Sequence, residues 1–151
     1  MDRISRDRLK IETLKILSSR STCLRRQVGC ILVKDDRILM SGYNGLPTGM
    51  PNCCDTRVCL KEKYNSEEYK ICIHSEQNVL AMCAKYGIPT EGTDLYVNAD
   101  VCMTCAKLII ASGIARVVVL RDFAGKVGDA GIDLLRQCNV QVEIWNPEEI
   151  W

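Results

Sequence analysis

This sequence predicts an α/β fold of three layers (αβα), built on a mixed five-stranded sheet with helices on both faces. Three observations carry that expectation. Apolar runs of strand length alternate with segments of helical period along the chain. The first two such runs are joined only by the turn Lys34-Asp35-Asp36 and pair as an antiparallel hairpin, whereas the run of three valines at 117–119 reads as a buried parallel strand. No linker or internal repeat interrupts the 151 residues, so 1–151 is read as one domain with chain enough for a real core.

Asp7 to Ser18 is an amphipathic helix with Leu9, Leu14, Leu17 and Ile16 on or near its apolar face. Ser19 to Arg26 is a polar loop. Two readings stand for its adjacent Arg25 and Arg26: a solvated loop, or a phosphate contact made by guanidinium groups. Val28 to Val33 and Arg37 to Ser41 are the hairpin strands. Gly42-Tyr43-Asn44-Gly45-Leu46-Pro47 leaves the second as a turn-rich loop. Asn52 to Tyr69 is an irregular polar insert. His74 to Lys85 is a helix whose apolar face is Val79, Leu80, Met82 and Cys83, ended by Gly87 and Pro89. Asp94 to Asn98 is a short strand. Cys105 to Ser112 is a helix with Leu108 and Ile109 inward and Gly113 as its stop. Arg116 to Leu120 is the buried strand, and the loop Arg121 to Gly128 borders its C-terminal end. Asp129 to Cys138 is a helix carrying Ile132, Leu134 and Leu135. Val140 to Trp145 alternates as an edge strand, and Asn146 to Trp151 is an acidic tail with Trp151 packing on the body or on a neighbouring subunit.

The charge balance of +1 shows no single-sign field of the kind that marks nucleic-acid or membrane-surface binding. Met1 to Lys10 lacks an apolar core, so no secretory signal is expected, and no run of about twenty apolar residues spans a membrane. Ten cysteines without a secretory signal favour a reducing cytoplasm, with thiols free or on metal.

The chemistry concentrates in His74, the only histidine, with Glu76 two residues on, and in Cys102 and Cys105 at C-x-x-C spacing. One imidazole and two thiolates form a ligand set for Zn²⁺ that leaves a fourth position for water. Singly each half is weak, since a lone C-x-x-C also reads as a structural knuckle or redox pair. Jointly they fall at two helix N-termini facing one end of the sheet, where thiolates gain from the helix dipole. Glu76 then lies over the open position without ligating and is the catalytic candidate. The reading from another class is a zinc-stabilised binding module without catalysis. Cys72 in the fourth position would close the site in that way. Cys53, Cys54, Cys59 and Cys72 are either free thiols or a second, structural zinc site stapling the insert.

The stretches Ser21-Thr22-Cys23-Leu24-Arg25-Arg26-Gln27-Val28-Gly29, Ser41 to Gly49, His74-Ser75-Glu76-Gln77-Asn78 and Cys102-Met103-Thr104-Cys105-Ala106-Lys107 together resemble the deoxycytidylate (dCMP) deaminase family, over nearly the whole chain. The Gly-Tyr-Asn-Gly-x-Pro-x-Gly loop is the most diagnostic. The resemblance implies a cytidine-deaminase-like fold and zinc-dependent hydrolysis of dCMP to dUMP and ammonia, with Glu76 moving protons to N3 of cytosine and to the leaving amine. It also implies that Asn44 binds a sugar hydroxyl and that Arg26, with Arg25, holds phosphate. A homo-oligomer is implied too, activated by dCTP and inhibited by dTTP with Mg²⁺ through the Asn44 loop. Three positions depart from the family pattern: Ser75 stands for alanine, Val101 for proline, and Phe123 is followed by Ala124 where arginine is usual. The last leaves room for a bifunctional dCTP/dCMP or 5-modified-dCMP deaminase. A tRNA or other nucleic-acid base deaminase shares the metal pattern, but the near-neutral charge and the Asn44 loop stand against it.

Overall fold

Helix α1 (Arg6–Ser18) begins where the Ser5 hydroxyl accepts from the Arg8 N–H at 3.1 Å, a side-chain cap for a donor that has no partner inside the helix. A computed structural model of the protein describes residues 3–64, 70–121 and 129–146. After α1 come β1 (Gly29–Lys34), β2 (Arg37–Tyr43), α2 (Cys53–Thr56), α3 (Leu60–Tyr64), α4 (Ser75–Tyr86), β3 (Asp94–Val97), α5 (Met103–Ala111), β4 (Arg116–Leu120), α6 (Ala130–Gln137) and β5 (Gln141–Trp145).

The sheet order is β2-β1-β3-β4-β5. β1 pairs antiparallel with both β2 and β3, while β3, β4 and β5 run parallel, so the sheet is mixed as expected and β5 lies at an edge. Period-two alternation sorts the strand side chains between two layers. Ile31, Val33, Tyr96 and Val118 meet Leu14 of α1 on one face. Cys30, Leu32, Leu95, Val97, Val117 and Val119 meet Val79 and Cys83 of α4, Cys105 and Ile109 of α5, and Leu135 of α6 on the other. Each such aliphatic side chain, fully buried, contributes about 1.5–3 kcal/mol. α4 stops because Gly87 takes the left-handed conformation at φ 66°, its N–H bonding the Cys83 carbonyl.

Several elements differ from expectation. The buried face of α1 is Lys10, Ile11, Leu14 and Ser18, whereas Leu9 and Ile16 are 52% and 75% exposed. The cause is tertiary. Gly29 has no Cβ, and one there would stand 3.0 Å from the Leu14 carbonyl oxygen, so the helix seats its Leu14–Ser18 side on β1. Lys10 follows that rotation inward and finds Asp36. Leu108 of α5 is 41% exposed rather than inward, since Cys105, Ala106 and Ile109 already fill the face toward the sheet. The polar insert is not irregular throughout: it forms α2 and α3, although 65–69 lie outside the described residues. So do 122–128, which include Phe123 and Ala124, and 147–151, which include Trp151. No helix among the described residues is long and apolar enough to cross a membrane.

Arg116 ties α1 to strands β3 and β5 at the end of the sheet away from Cys102. Its guanidinium bonds Glu143 on β5 in bidentate fashion (3.1 and 2.8 Å), Asp94 on β3 (3.1 Å) and the Tyr96 hydroxyl (3.0 Å), with Asp7 of α1 at 3.5 Å. The side chain is 17% exposed and its partners about twice that. Arg116→Ala is therefore expected to destabilise by about 2 kcal/mol, below the range for fully buried pairs because water reaches the carboxylates. Bonding to Arg116 also lowers the Glu143 pKa. That stabilisation is fully present above the unfolded carboxylate value of about 4.3 and is lost as pH falls through the lowered folded value. Denaturant melts of both proteins from pH 7 to 3 check this: the wild-type advantage should shrink with acid, and an advantage independent of pH contradicts the assignment.

Candidate active site

Two helix starts and one loop build the site. His74 is the N-cap of α4, held by its own N–H to Gln77 Oε1 at 2.9 Å, with its carbonyl accepting from Asn78 N–H at 2.9 Å. Cys102 is the N-cap of α5, and its sulfur accepts from the Cys105 N–H at 3.5 Å. Cys105 sits one turn into that helix, so C-x-x-C spacing puts both sulfurs on one side of it. The loop from β3 into α5 is anchored by Asn98, buried, whose Oδ1 accepts from Gly29 N–H at 2.7 Å. The segment before α4 is tied to the Asn44 loop through a two-bond bridge between Gly45 and Ile73 (3.2 and 2.8 Å).

The three donors converge. His74 Nδ1 lies 3.5 Å from Cys102 Sγ and 3.5 Å from Cys105 Sγ. Among the described residues they are the one group of three or more His, Cys, Asp or Glu side chains whose ligand atoms all lie within 4.8 Å of one another. Tetrahedral zinc at about 2.3 Å from sulfur and 2.1 Å from nitrogen sets these atoms roughly 3.6 Å apart, so the residues fit the ion. The hydrogen bond between the two thiols splits them: Cys102 is held well below the ordinary thiol value by that bond and by the bond with His74, while Cys105 is pushed up by the same bond and by burial. A thiolate ready at the donor set is what metal binding requires.

Glu76 is 4% exposed and lines the same cleft, a cavity of about 430 Å³, as His74, Cys102, Asn44, Arg25 and Arg26. Burial raises its pKa. Ser75, buried, donates to Glu76 Oε2 at 2.9 Å. The serine that departs from the usual alanine thus orients the carboxylate. Val101 is 1% exposed, and its backbone packs against Gly131 of α6.

Other expected residues are placed less simply. Asn44 lines the cleft, but its amide oxygen accepts from Val28 N–H (2.9 Å) and Ser21 Oγ (2.6 Å), and its nitrogen donates to the Arg26 carbonyl (3.0 Å). One amide hydrogen remains for anything else. Arg25 pairs with Glu62 at 3.4 Å. Cys53, Cys54, Cys59 and Cys72 are not drawn into a comparable donor group: Cys54 is exposed, its sulfur 3.6 Å from Asp55 Oδ1, while Cys23, Cys53 and Cys59 are the thiols that bear electrostatically on Cys72. Two charged cleft residues were not anticipated, Lys61 of α3 and Asp100. Asp100 is bonded by Arg121 Nε at 2.8 Å, and Arg121 also pairs with Asp129. The charge of 121 and its place after a buried strand could have signalled that pairing; nothing local in the sequence signals Lys61.

A donor triad suited to zinc with a buried carboxylate beside it is the arrangement of a zinc-dependent hydrolase. A model of the cytidine and deoxycytidylate deaminase zinc-binding region matches residues 5–121. The chain is 34% identical over 143 residues to ComE operon protein 2 of Bacillus subtilis, covering 95% of this chain and 72% of that one. It is 29% identical over 136 residues to the deoxycytidylate deaminase of Saccharomyces cerevisiae, covering 89% of this chain and only 42% of that relative's length. The structure of the dCMP deaminase from cyanophage S-TIM5 in complex with dCMP and dUMP superposes with a TM-score of 0.79 at 30% identity, over 96% of this chain and all of the other. The chain belongs to the cytidine and deoxycytidylate deaminase family.

Proposed function

We propose that this chain hydrolyses dCMP to dUMP and ammonia, using Zn²⁺ held by His74, Cys102 and Cys105. The observation that carries this reading is Glu76, a buried carboxylate without a salt-bridge partner among the described residues, in one cleft with the donor triad and a basic rim. Zinc bound there supplies a hydroxide nucleophile near neutral pH. Glu76 is free to take a proton from the attacking water and give it to N3 of the cytosine, then to take the proton of the new C4 hydroxyl and give it to the amine as the C4–N bond breaks, a shuttle that a carboxylate committed to the metal performs poorly. Ser75 keeps the carboxylate aimed. Asn44 offers its remaining amide hydrogen to a sugar hydroxyl, and Arg26, with Arg25 beside it, faces the 5′-phosphate. A cleft of about 430 Å³ suits a mononucleotide. The dCMP and dUMP bound by the cyanophage enzyme support this substrate.

The finer expectations belong to the same reading: one domain over 1–151, a homo-oligomer in the cytoplasm, activation by dCTP, and inhibition by dTTP with Mg²⁺ at a site involving the Gly42-Tyr43-Asn44-Gly45 loop. A second, structural zinc held by Cys53, Cys54, Cys59 and Cys72 belongs to the same set of expectations. Ammonia release from dCMP, followed with and without dCTP or dTTP, tests the activity and its regulation together. A zinc content of two per chain that falls to one in Cys72→Ser would support the second site, and a content of one would refute it.

A further inference from the structure

The cations around the cleft are unequally free. Arg25 is occupied by Glu62 at 3.4 Å. Arg121, at the position after β4, is spent on Asp100 at 2.8 Å and on Asp129, which also neutralises the one aspartate lining the cleft. Among the described residues, Arg26 and Lys61 are the cleft-lining cations with no carboxylate bound to them. Lys61 comes from α3, far from Arg26 in sequence. The exposed Arg25–Glu62 pair and the bond from Cys54 N–H to the Thr22 carbonyl at 3.2 Å join the two segments; Glu62 follows Lys61 and Arg25 precedes Arg26, and both free cations line one cleft. The turn that starts α3 is closed by Glu62 N–H and Lys63 N–H on the Cys59 carbonyl at 3.1 and 2.9 Å.

We infer that Lys61 is a specificity residue that receives the substrate's 5′-phosphate together with Arg26, and that Arg25 positions the rim through Glu62 rather than touching phosphate. This deepens the deaminase reading and rests on it. An ammonium on a flexible stem matches a phosphate dianion as a point charge and has no partner on a nucleoside, whose 5′ end is a neutral hydroxyl. Lys61 therefore separates nucleotide from nucleoside.

The test uses zinc-loaded full-length protein with dCMP and deoxycytidine. Lys61→Ala should raise KM for dCMP about tenfold, the order expected for loss of one charge-assisted hydrogen bond, with kcat within about twofold. KM for deoxycytidine should stay within about twofold, and Lys63→Ala, which removes the same charge from the same helix, should leave both substrates as in the wild type. Calorimetric binding of dUMP should weaken by the same tenfold in Lys61→Ala, a readout independent of turnover. An unchanged KM for dCMP overturns the inference. So does an equal loss on both substrates, which would mean that Lys61 acts through the fold of the insert, and so does an equal effect of Lys63→Ala. A wild type inert on dCMP and deoxycytidine alike, with zinc bound, overturns instead the deaminase reading beneath it.

Discussion

Glu76→Gln is expected to lower kcat for dCMP by about 10³-fold or more, at the upper part of the range for a general acid–base residue because one group serves several transfers. The substitution is isosteric. The amide oxygen can still accept from Ser75 Oγ, 2.9 Å away in the wild type, so the side chain keeps its place. What it loses is the capacity to hold a proton. Because the carboxylate is not one of the three converging donors, zinc content should stay at the wild-type value. Metal analysis beside initial rates separates the two effects. Near-normal turnover in Glu76→Gln would remove the residue from the mechanism, and loss of zinc would make it a ligand.

The second large effect is expected at a residue with no functional group. Gly131, in the first turn of α6, lies against the backbone that leads into Cys102, one of the three converging donors. A Cβ there would stand 2.8 Å from the Cys102 carbonyl carbon and 2.9 Å from that of Val101. Those atoms are main chain and cannot swing away as a side-chain tip could. Val101 occupies the place where the family usually has proline, so no ring fixes the approach to Cys102. Packing against α6 constrains it instead, with Val101 1% exposed. Gly131→Ala should therefore cost about 1–3 kcal/mol of stability by overpacking. It should also weaken zinc binding about tenfold, within the span measured when support of a metal ligand is disturbed. Thermal melts and chelator competition check the pair. Unchanged zinc affinity would mean that the 101–102 backbone is set by α5 alone.

The convergence of His74, Cys102 and Cys105 was legible because chemistry and punctuation agreed. Spacing put Cys102 and Cys105 on one helical turn, Gly87 marked the end of α4, and both ligand-bearing N-termini followed from those boundaries. The strands were legible for the same reason: β-branched runs bounded by turns leave few alternatives. The orientation of α1 was not. Its apolar residues are spread around the helix, and Gly29 on a different element decides which of them is buried. Asn44 was recognised as a cleft residue, yet its bonds to Val28, Ser21 and Arg26 are long-range and no local pattern announces them. Lys61 was hidden for a related reason. It lies in an insert that reads as polar loop, and long-range ties, Arg25 to Glu62 and Cys54 N–H to the Thr22 carbonyl, bring that insert to the cleft.

Product analysis tests the central claim most directly. Zinc-loaded protein is incubated separately with dCMP, dCTP, 5-methyl-dCMP and deoxycytidine, and ammonia and the deaminated product are quantified. The account predicts stoichiometric dUMP and ammonia from dCMP, with kcat/KM for dCTP and deoxycytidine at least about tenfold lower, as one fitted phosphate site would impose. No ammonia from dCMP while zinc is bound at His74, Cys102 and Cys105 would contradict it.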